Sequence, residues 1–386
     1  MPDDLRDLSV FLSCGEVSGD LYASDLTREL LKRVPALKNR VWGMMGPLTV
    51  AAGGLAVWSY EELKLMGFAE VIPAVPRIFG LRNRMVREIL SRNPSVVVVV
   101  DSPDFHFFLV KKLRKSGYKG LAVFLVTPTV WAWRSGRTKL LRDYFDLCLP
   151  LFSFEQEYLT QRGVRSMWAA HPLAETLENF QAPEELSARY RGERVIALMP
   201  GSRGYDIRYH LTQLIGTAEL LKREGWLPVF SVAPGLSAAL QRELRERTEG
   251  YENWDGEGRA LMKIALAVAG VSGTVAVEAM LLRRFMVVIY NGSGLSWLIA
   301  RALVHIPWIS MPNYLTDEPV YPEILKDAIT PERILSELHR YLDDPVRRAA
   351  VDRSLEKARA AMGNVRAAVF WADSILSALS GVRVGL

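Results

Sequence analysis

The chain has 386 residues, 49% hydrophobic and 24% charged, with a net charge of +5; that length exceeds one ordinary core and predicts two globular domains of roughly 150–200 residues each. The charge is modest and Lys and Arg are scattered rather than blocked, which argues against a nucleic-acid partner and fits a surface meeting anionic phosphate or lipid head groups. Two cysteines, Cys14 and Cys148, exclude a disulfide scaffold and fit a reducing compartment; the acidic Met1–Asp7 segment predicts no signal peptide; and no run nears the ~18 apolar residues of a membrane span.

In chain order, Ser9–Ser13 reads as a buried strand. A turn through Gly15 and Gly19 follows, then a helix over about Asp20–Val34 with Leu26, Leu30 and Val34 on one face. The loop Gly15-Glu16-Val17-Ser18-Gly19-Asp20 offers free N–H groups and a helix start, which suit an anionic or hydroxyl-rich ligand. Glu16 would repel a phosphate, so a sugar hydroxyl is its better partner; a tight βα turn capped by Ser18 is the competing structural reading. Further on, Met66, Phe68, Val71, Ile72, Val75, Ile78 and Phe79 alternate with Arg77, Arg82, Arg84 and Arg87. Apolar wedges beside basic residues suit an anionic membrane interface, and Pro73 and Pro76 argue against one regular helix there. Val96–Val100, five valines, is a buried parallel strand that delivers Asp101 to its tip. A poorly solvated carboxylate there has its pKa raised toward general-base work; helix capping is the alternative, and suits Asp104 better. Strands at Leu121–Val126 and Asp146–Leu151 follow. Between them, Trp131 and Trp133 stack on a sugar or pack a loop.

The pattern restarts after the polar stretch 181–193. Strands are expected at Arg194–Met199, Pro228–Val232, Val268–Val271 and Phe285–Tyr290, so two doubly wound parallel sheets with a cleft between them are predicted. Ligands in such sheets lie beyond the strand carboxyl ends. Pro200-Gly201-Ser202-Arg203 occupies one such end, and Arg203 suits a diphosphate through paired donors. Ser272-Gly273-Thr274 occupies another: small residues let a diphosphate approach the helix start, and Glu278, one turn on, suits ribose hydroxyls. Asn313, in Ser310-Met311-Pro312-Asn313, has donor and acceptor for a base or phosphate, although Pro-Asn often marks only a turn. Asp206 and His210 read as a hydrogen-bonded surface pair, and His171 as a structural or interdomain residue. The five histidines show no metal spacing, so no metal or other cofactor is expected. From Pro331 on, helices rich in Arg, Ala and Leu are expected.

Taken in order, these motifs resemble those of the lipid-A-disaccharide synthases, family-19 glycosyltransferases of the GT-B fold. The resemblance rests on Gly15-Glu16-x-Ser18-Gly19-Asp20, Met66-Gly67-x-x-Glu70-Val71, Asp101-x-Pro103-Asp104-Phe105 and Pro128-x-Val130-Trp131-Ala132-Trp133-Arg134. It continues through His171-Pro172, Pro200-Gly201-Ser202-Arg203, Ser272-Gly273-Thr274 with Glu278, and Ser310-x-Pro312-Asn313. It implies two Rossmann-like domains facing across a cleft: an acceptor- and membrane-contacting domain over 1–180, a UDP-sugar-binding domain over 181–345, and helices 346–386 returning to the first. It implies transfer of 2,3-diacylglucosamine from UDP to the 6-hydroxyl of 2,3-diacylglucosamine 1-phosphate (lipid X), with inversion, at the cytoplasmic face of the inner membrane. Asp101 is then the candidate base, with Arg203 and Asn313 important for activity; Ser202, Ser272, Gly273, Thr274 and Glu278 face the UDP-sugar; Gly15, Glu16, Ser18, Gly19 and Asp20 face the acceptor. It also implies a homodimer exchanging C-terminal parts.

The chain departs from the family pattern at four places. Leu48 stands where Arg is usual, Asn291 where a basic residue follows Tyr290, Glu318 where Arg is usual, and Lys326 where Gln is usual. These motivate two alternatives: a diverged GT-B transferase with another UDP-sugar and lipid acceptor, or a non-catalytic UDP-sugar-binding protein.

Overall fold

The computed structural model of the chain describes residues 8–63, 71–292, 307–316 and 318–381. The chain divides into two compact units, Met1–Pro172 with Asn364–Leu386, and Leu173–Gly363. Each holds one six-stranded sheet, and every strand pair is parallel.

In the first unit the strands are β1 Val10–Cys14, β2 Val41–Met45, β3 Leu55–Ser59, β4 Val96–Val100, β5 Leu121–Leu125 and β6 Leu147–Leu149. They lie in the order β3-β2-β1-β4-β5-β6. The first four helices are α1 Val17–Arg33, α2 Pro47–Ala51, α3 Val71–Arg92 and α4 Pro103–Lys115. β1 and β4 are buried at every position, because helices cover both faces of the sheet. One face packs on Ala23, Leu26 and Leu30 of α1 and on Trp371 and Ile375 of the last helix, Ala367–Leu379. The other packs on Leu81, Met85 and Ile89 of α3 and Leu109, Val110 and Leu113 of α4. The last helix is held to α1 by Trp371 against Tyr22, ring centroids 6.1 Å apart, and by Arg33 paired with Asp373 at 2.5 Å.

The second unit repeats the plan. Its strands are β7 Val195–Met199, β8 Leu227–Ser231, β9 Glu252–Trp254, β10 Ala267–Val271, β11 Met286–Tyr290 and β12 Glu323–Leu325, in the order β12-β11-β10-β7-β8-β9. In both units the first strand sits beside the fourth, and the winding reverses between them. That reversal leaves a crevice beyond the carboxyl ends of β1 and β4, and of β7 and β10.

Several expectations are corrected. α3 runs unbroken through Pro76. Pro73 falls in the first turn, where an N–H lacks an intrahelical partner anyway, and the buried face of Leu81, Met85, Val86 and Ile89 anchors the rest. The units divide at 172/173 rather than 180/181, and the return to the first unit begins at Asn364 rather than 346. Helix Pro345–Ala360 stays with the second unit, where it packs on helix Thr274–Leu281 and buries Val351, Leu355 and Ala358. Strands β2, β3, β9 and β12 were not expected. β2 carries Gly43 and two methionines, β3 is an edge strand without a buried face, and β9 and β12 are three-residue edges.

Candidate functional site

In the first unit, two-residue links join β1 to α1 and β4 to α4. The second link is Asp101-Ser102, and both residues have left-handed backbones, φ +50° and +44°. Residues other than glycine rarely adopt this conformation, and where it persists the surroundings impose it. The loop from β1 closes over this corner. A Cβ on Gly15 would sit 2.0 Å from Ser102 Oγ, and one on Gly19 would sit 2.3 Å from Asp101 Oδ2. Both glycines are therefore required by the close approach of Asp101-Ser102 rather than by turn geometry alone.

The Ser102 hydroxyl donates to Asp101 Oδ1 at 2.7 Å, while Oδ2 is buried and has no hydrogen-bond partner among the described residues. Burial pushes the Asp101 carboxyl up to about 7; the Ser102 hydroxyl opposes this, the Glu16 charge adds to it, and the Gly15 amide opposes it. A carboxylate so poised accepts a proton near neutral pH. Beside it lies a cavity of about 300 Å³ lined by Asp101, Thr127, Trp133, Arg137, Phe152 and Glu155 among others.

The neighbours of Asp101 divide into surface and support. Glu16 and Ser18 are exposed; Glu16 occupies the α1 cap position and Ser18 lies inside the first turn, so Ser18 is not the cap. Asp20 is buried, and its carboxylate is engaged inside the protein. Its carboxylate accepts from the Gly46, Leu48 and Thr49 amides at 2.9, 2.9 and 3.2 Å and from the Thr49 hydroxyl at 2.5 Å, tying α1 to the start of α2. Asp104 caps nothing: it is exposed and pairs with Arg134 and Arg137, while Ser102 holds the cap position of α4. Trp131 donates to buried Glu155 at 3.0 Å and packs the loop, whereas Trp133 lines the cavity. Burial pushes Glu155 up to about 7 against the pull of Trp131 and the Phe152 and Leu151 amides. His171 is buried in the first unit against Phe152. Sequence reasoning missed Glu155, Thr127 and His106, which carry no motif of their own.

In the second unit, Ser202 and Arg203 are exposed just beyond β7, with Arg203 at the cap of helix Gly204–Arg223. Across the switch point, Ser272-Gly273 leads from β10 into helix Thr274–Leu281. Gly273 has φ +150°, and nothing lies within 4 Å of the Cβ it lacks. Open space thus faces a helix N-terminus, a setting that attracts anions. Glu278, one turn on, is mostly buried; burial pushes it up to about 7, with Arg259 opposing and Glu257 adding. His210 is not a surface residue. It is fully buried; its Nδ1 donates to the Asp206 carbonyl and its Nε2 accepts from the Asn291 amide, both at 2.7 Å.

Asn313 is also corrected. Its amide is spent inside the protein: Nδ2 donates to the Tyr321 carbonyl and to Glu323 Oε1, and Oδ1 accepts from the Tyr321 amide, all at 2.9 Å. Glu323 further accepts from the Ser310 amide and hydroxyl and from the Ile309 amide. Asn313 therefore shapes the loop beside β12 rather than presenting its side chain to a ligand. Glu318 is exposed, and Lys326 has a left-handed backbone, φ +52°.

Of the expected membrane residues, Met66 and Phe68 lie outside the described residues, as do the side chains of Val71, Ile72 and Val75. Ile78 packs toward the core beneath α3, so it is not a surface wedge. Phe79 is 49% exposed with Arg82 stacked 4.5 Å from its ring centre. Among the described residues no helix is long and apolar enough to cross a membrane, and no cluster of metal-ligating side chains occurs.

A family profile described as lipid-A-disaccharide synthetase matches residues 10–368. A lipid-A-disaccharide synthase of Pseudomonas aeruginosa is 36% identical over 356 residues, covering 89% of this chain and 91% of the relative. One of Anaeromyxobacter dehalogenans is 34% identical over 379 residues, covering 96% and 97%. Among solved structures, the UDP-GlcNAc 2-epimerase of Neisseria meningitidis bound to UDP-GlcNAc matches with a TM-score of 0.60 at 10% identity, over 96% of this chain and 100% of that one. The calicheamicin glycosyltransferase CalG4 matches with a TM-score of 0.57 at 15% identity, over 97% and 98%. The structural likeness concerns the fold: paired doubly wound α/β units of the GT-B kind.

Proposed function

The chain belongs to the lipid-A-disaccharide synthetase family, and we propose that this glycosyltransferase moves 2,3-diacylglucosamine from its UDP derivative to the 6-hydroxyl of 2,3-diacylglucosamine 1-phosphate. The products are the tetraacyl disaccharide 1-phosphate and UDP. The acceptor oxygen attacks the anomeric carbon, the bond to the UDP oxygen breaks, and the configuration inverts. Asp101 takes the proton from the attacking hydroxyl, and the observation that carries this reading is the unpartnered buried Oδ2 on a left-handed backbone beside the cavity, with burial raising the carboxyl toward neutrality.

The diphosphate accumulates charge as it leaves. The start of helix Thr274–Leu281 and the Arg203 guanidinium stabilise that charge, which favours the transition state over bound substrate. Ser202, Ser272, Gly273 and Thr274 line the diphosphate, and Glu278 accepts from the ribose hydroxyls. Asn313 contributes through the loop it shapes. The acceptor lies near Gly15, Glu16, Ser18 and Gly19. Phe79 beside Arg82 suits peripheral attachment to the anionic inner face of the membrane, where both lipid substrates reside.

The test is UDP release in detergent micelles. It is expected only when the UDP-linked and the 1-phosphorylated diacylglucosamines are both present. Equal release with the acceptor omitted, or with an unrelated lipid alcohol, would replace this reading with that of a transferase of different acceptor.

A further inference from the structure

The corner at Asp101 is gripped from inside the protein as well as from the loop above. His106, on α4, is fully buried. Its Nδ1 lies 2.7 Å from the Asp101 carbonyl oxygen. A carbonyl only accepts, so Nδ1 carries the proton. Its Nε2 lies 2.8 Å from Ser13 Oγ, so this nitrogen accepts and the Ser13 hydroxyl donates. Burial also pushes the imidazole down to about 4, which keeps it neutral.

Both ring nitrogens are therefore committed, and the ring bridges two strands: Ser13 belongs to β1 and Asp101 follows β4, which pair directly. The carbonyl that His106 holds belongs to the first of two successive left-handed residues. That backbone conformation turns the chain from β4 into α4 within two residues and sets the direction in which the Asp101 side chain leaves it. What sets this histidine apart from an ordinary buried one is its acceptor, the carbonyl of Asp101 itself. Here each nitrogen meets the partner that one tautomer requires.

We propose that His106, locked as its Nδ1–H tautomer by Ser13, is a positioning residue that holds the Asp101–Ser102 corner and thereby aims the Asp101 carboxylate at the acceptor hydroxyl. The inference rests on Asp101 being the base.

Three substitutions separate positioning from packing. In His106→Asn the amide nitrogen falls near the place of Nδ1 and keeps the bond to Asp101. In His106→Gln the amide falls near the place of Nε2 and loses it, and His106→Phe loses both contacts. Measured below each variant's melting temperature, Gln and Phe are expected to lower kcat by about 10²-fold, the loss typical of a displaced catalytic group. Both KM values should stay within about 2-fold, because ground-state binding is untouched, and Asn should recover most of the loss. Folded His106→Phe with wild-type kcat would overturn the inference, as would equal loss in Asn and Gln.

A measurement on the unaltered protein stands apart from any folding defect. Nitrogen-15 NMR of labelled histidine is expected to show His106 neutral with Nδ1 protonated at pH 7; the Nε2–H tautomer, or a titration near the ordinary value of about 6.5, would overturn the inference. Asp101→Asn separates the two claims. If that variant turns over normally, the base assignment fails. If it is dead while His106→Phe is not, only the positioning role fails.

Discussion

Gly19→Ala is the sharpest probe of how closely the α1 loop and Asp101 fit. At an unconstrained helix position this change would stabilise by about 1 kcal/mol, because alanine loses less backbone entropy. Here the added Cβ would sit 2.3 Å from Asp101 Oδ2 and 2.9 Å from Cγ. An ordinary carbon–oxygen contact is about 3.3 Å, so the carboxylate or the helix start must retreat by about 1 Å. Overpacking of this kind costs about 1–3 kcal/mol, which offsets the helical gain and leaves stability near wild type or slightly lower. Displacing a proton-accepting group by ~1 Å lowers turnover by about 10²-fold. Thermal melting and kcat for UDP release together check this: a small change in melting beside a large fall in kcat is expected. Gly235→Ala is the control, since nothing lies within 4 Å of its Cβ position, and it should leave both unchanged. Wild-type kcat in folded Gly19→Ala would refute the claim that this loop sets the carboxylate.

Three further outcomes follow from the same geometry. The Asp101 pKa is about 7 in the folded chain against 3.8 as its ordinary value, so the native state binds the proton more tightly between those limits. Its stabilisation is therefore full below about pH 3.8 and is lost as pH rises through about 7; Asp101→Asn should melt higher than wild type above pH 7 while losing turnover, and wild-type kcat should fall as pH drops below 7. Asp20→Ala should weaken the first unit by about 3 kcal/mol in denaturant unfolding, because it leaves the Gly46, Leu48 and Thr49 amides without their acceptor. Asn313→Ala should lower stability by about 2–3 kcal/mol even without ligand, because the Tyr321 amide and carbonyl lose partners; unchanged ligand-free stability would return Asn313 to direct ligand contact.

What was legible in the sequence was local. Five valines followed by Asp101, and Ser272-Gly273-Thr274 after a short apolar run, each announce a strand ending in a loop with chemistry, and both loops stand at switch points of their sheets. What was not legible depends on partners far along the chain. Asp20 reads as a loop residue until α2 folds over it and supplies donors 26 to 29 residues away. Asn313 reads as a free amide until Tyr321 and Glu323 close on it. His106 carries no motif in the sequence, because its meaning lies in Ser13, 93 residues earlier. The edge strands β9 and β12 were invisible for a different reason: three residues carry too little periodicity to register.

If Asp101 is the base, the joining of the two acylated glucosamines depends on its carboxylate. The most direct measurement is mass spectrometry of the lipid products after incubating wild-type and Asp101→Asn proteins with both substrates in micelles. Wild type is expected to yield the tetraacyl disaccharide 1-phosphate in equal amount with UDP, and folded Asp101→Asn to yield neither. No disaccharide from folded wild type, or equal disaccharide from both proteins, would rule out this role for Asp101.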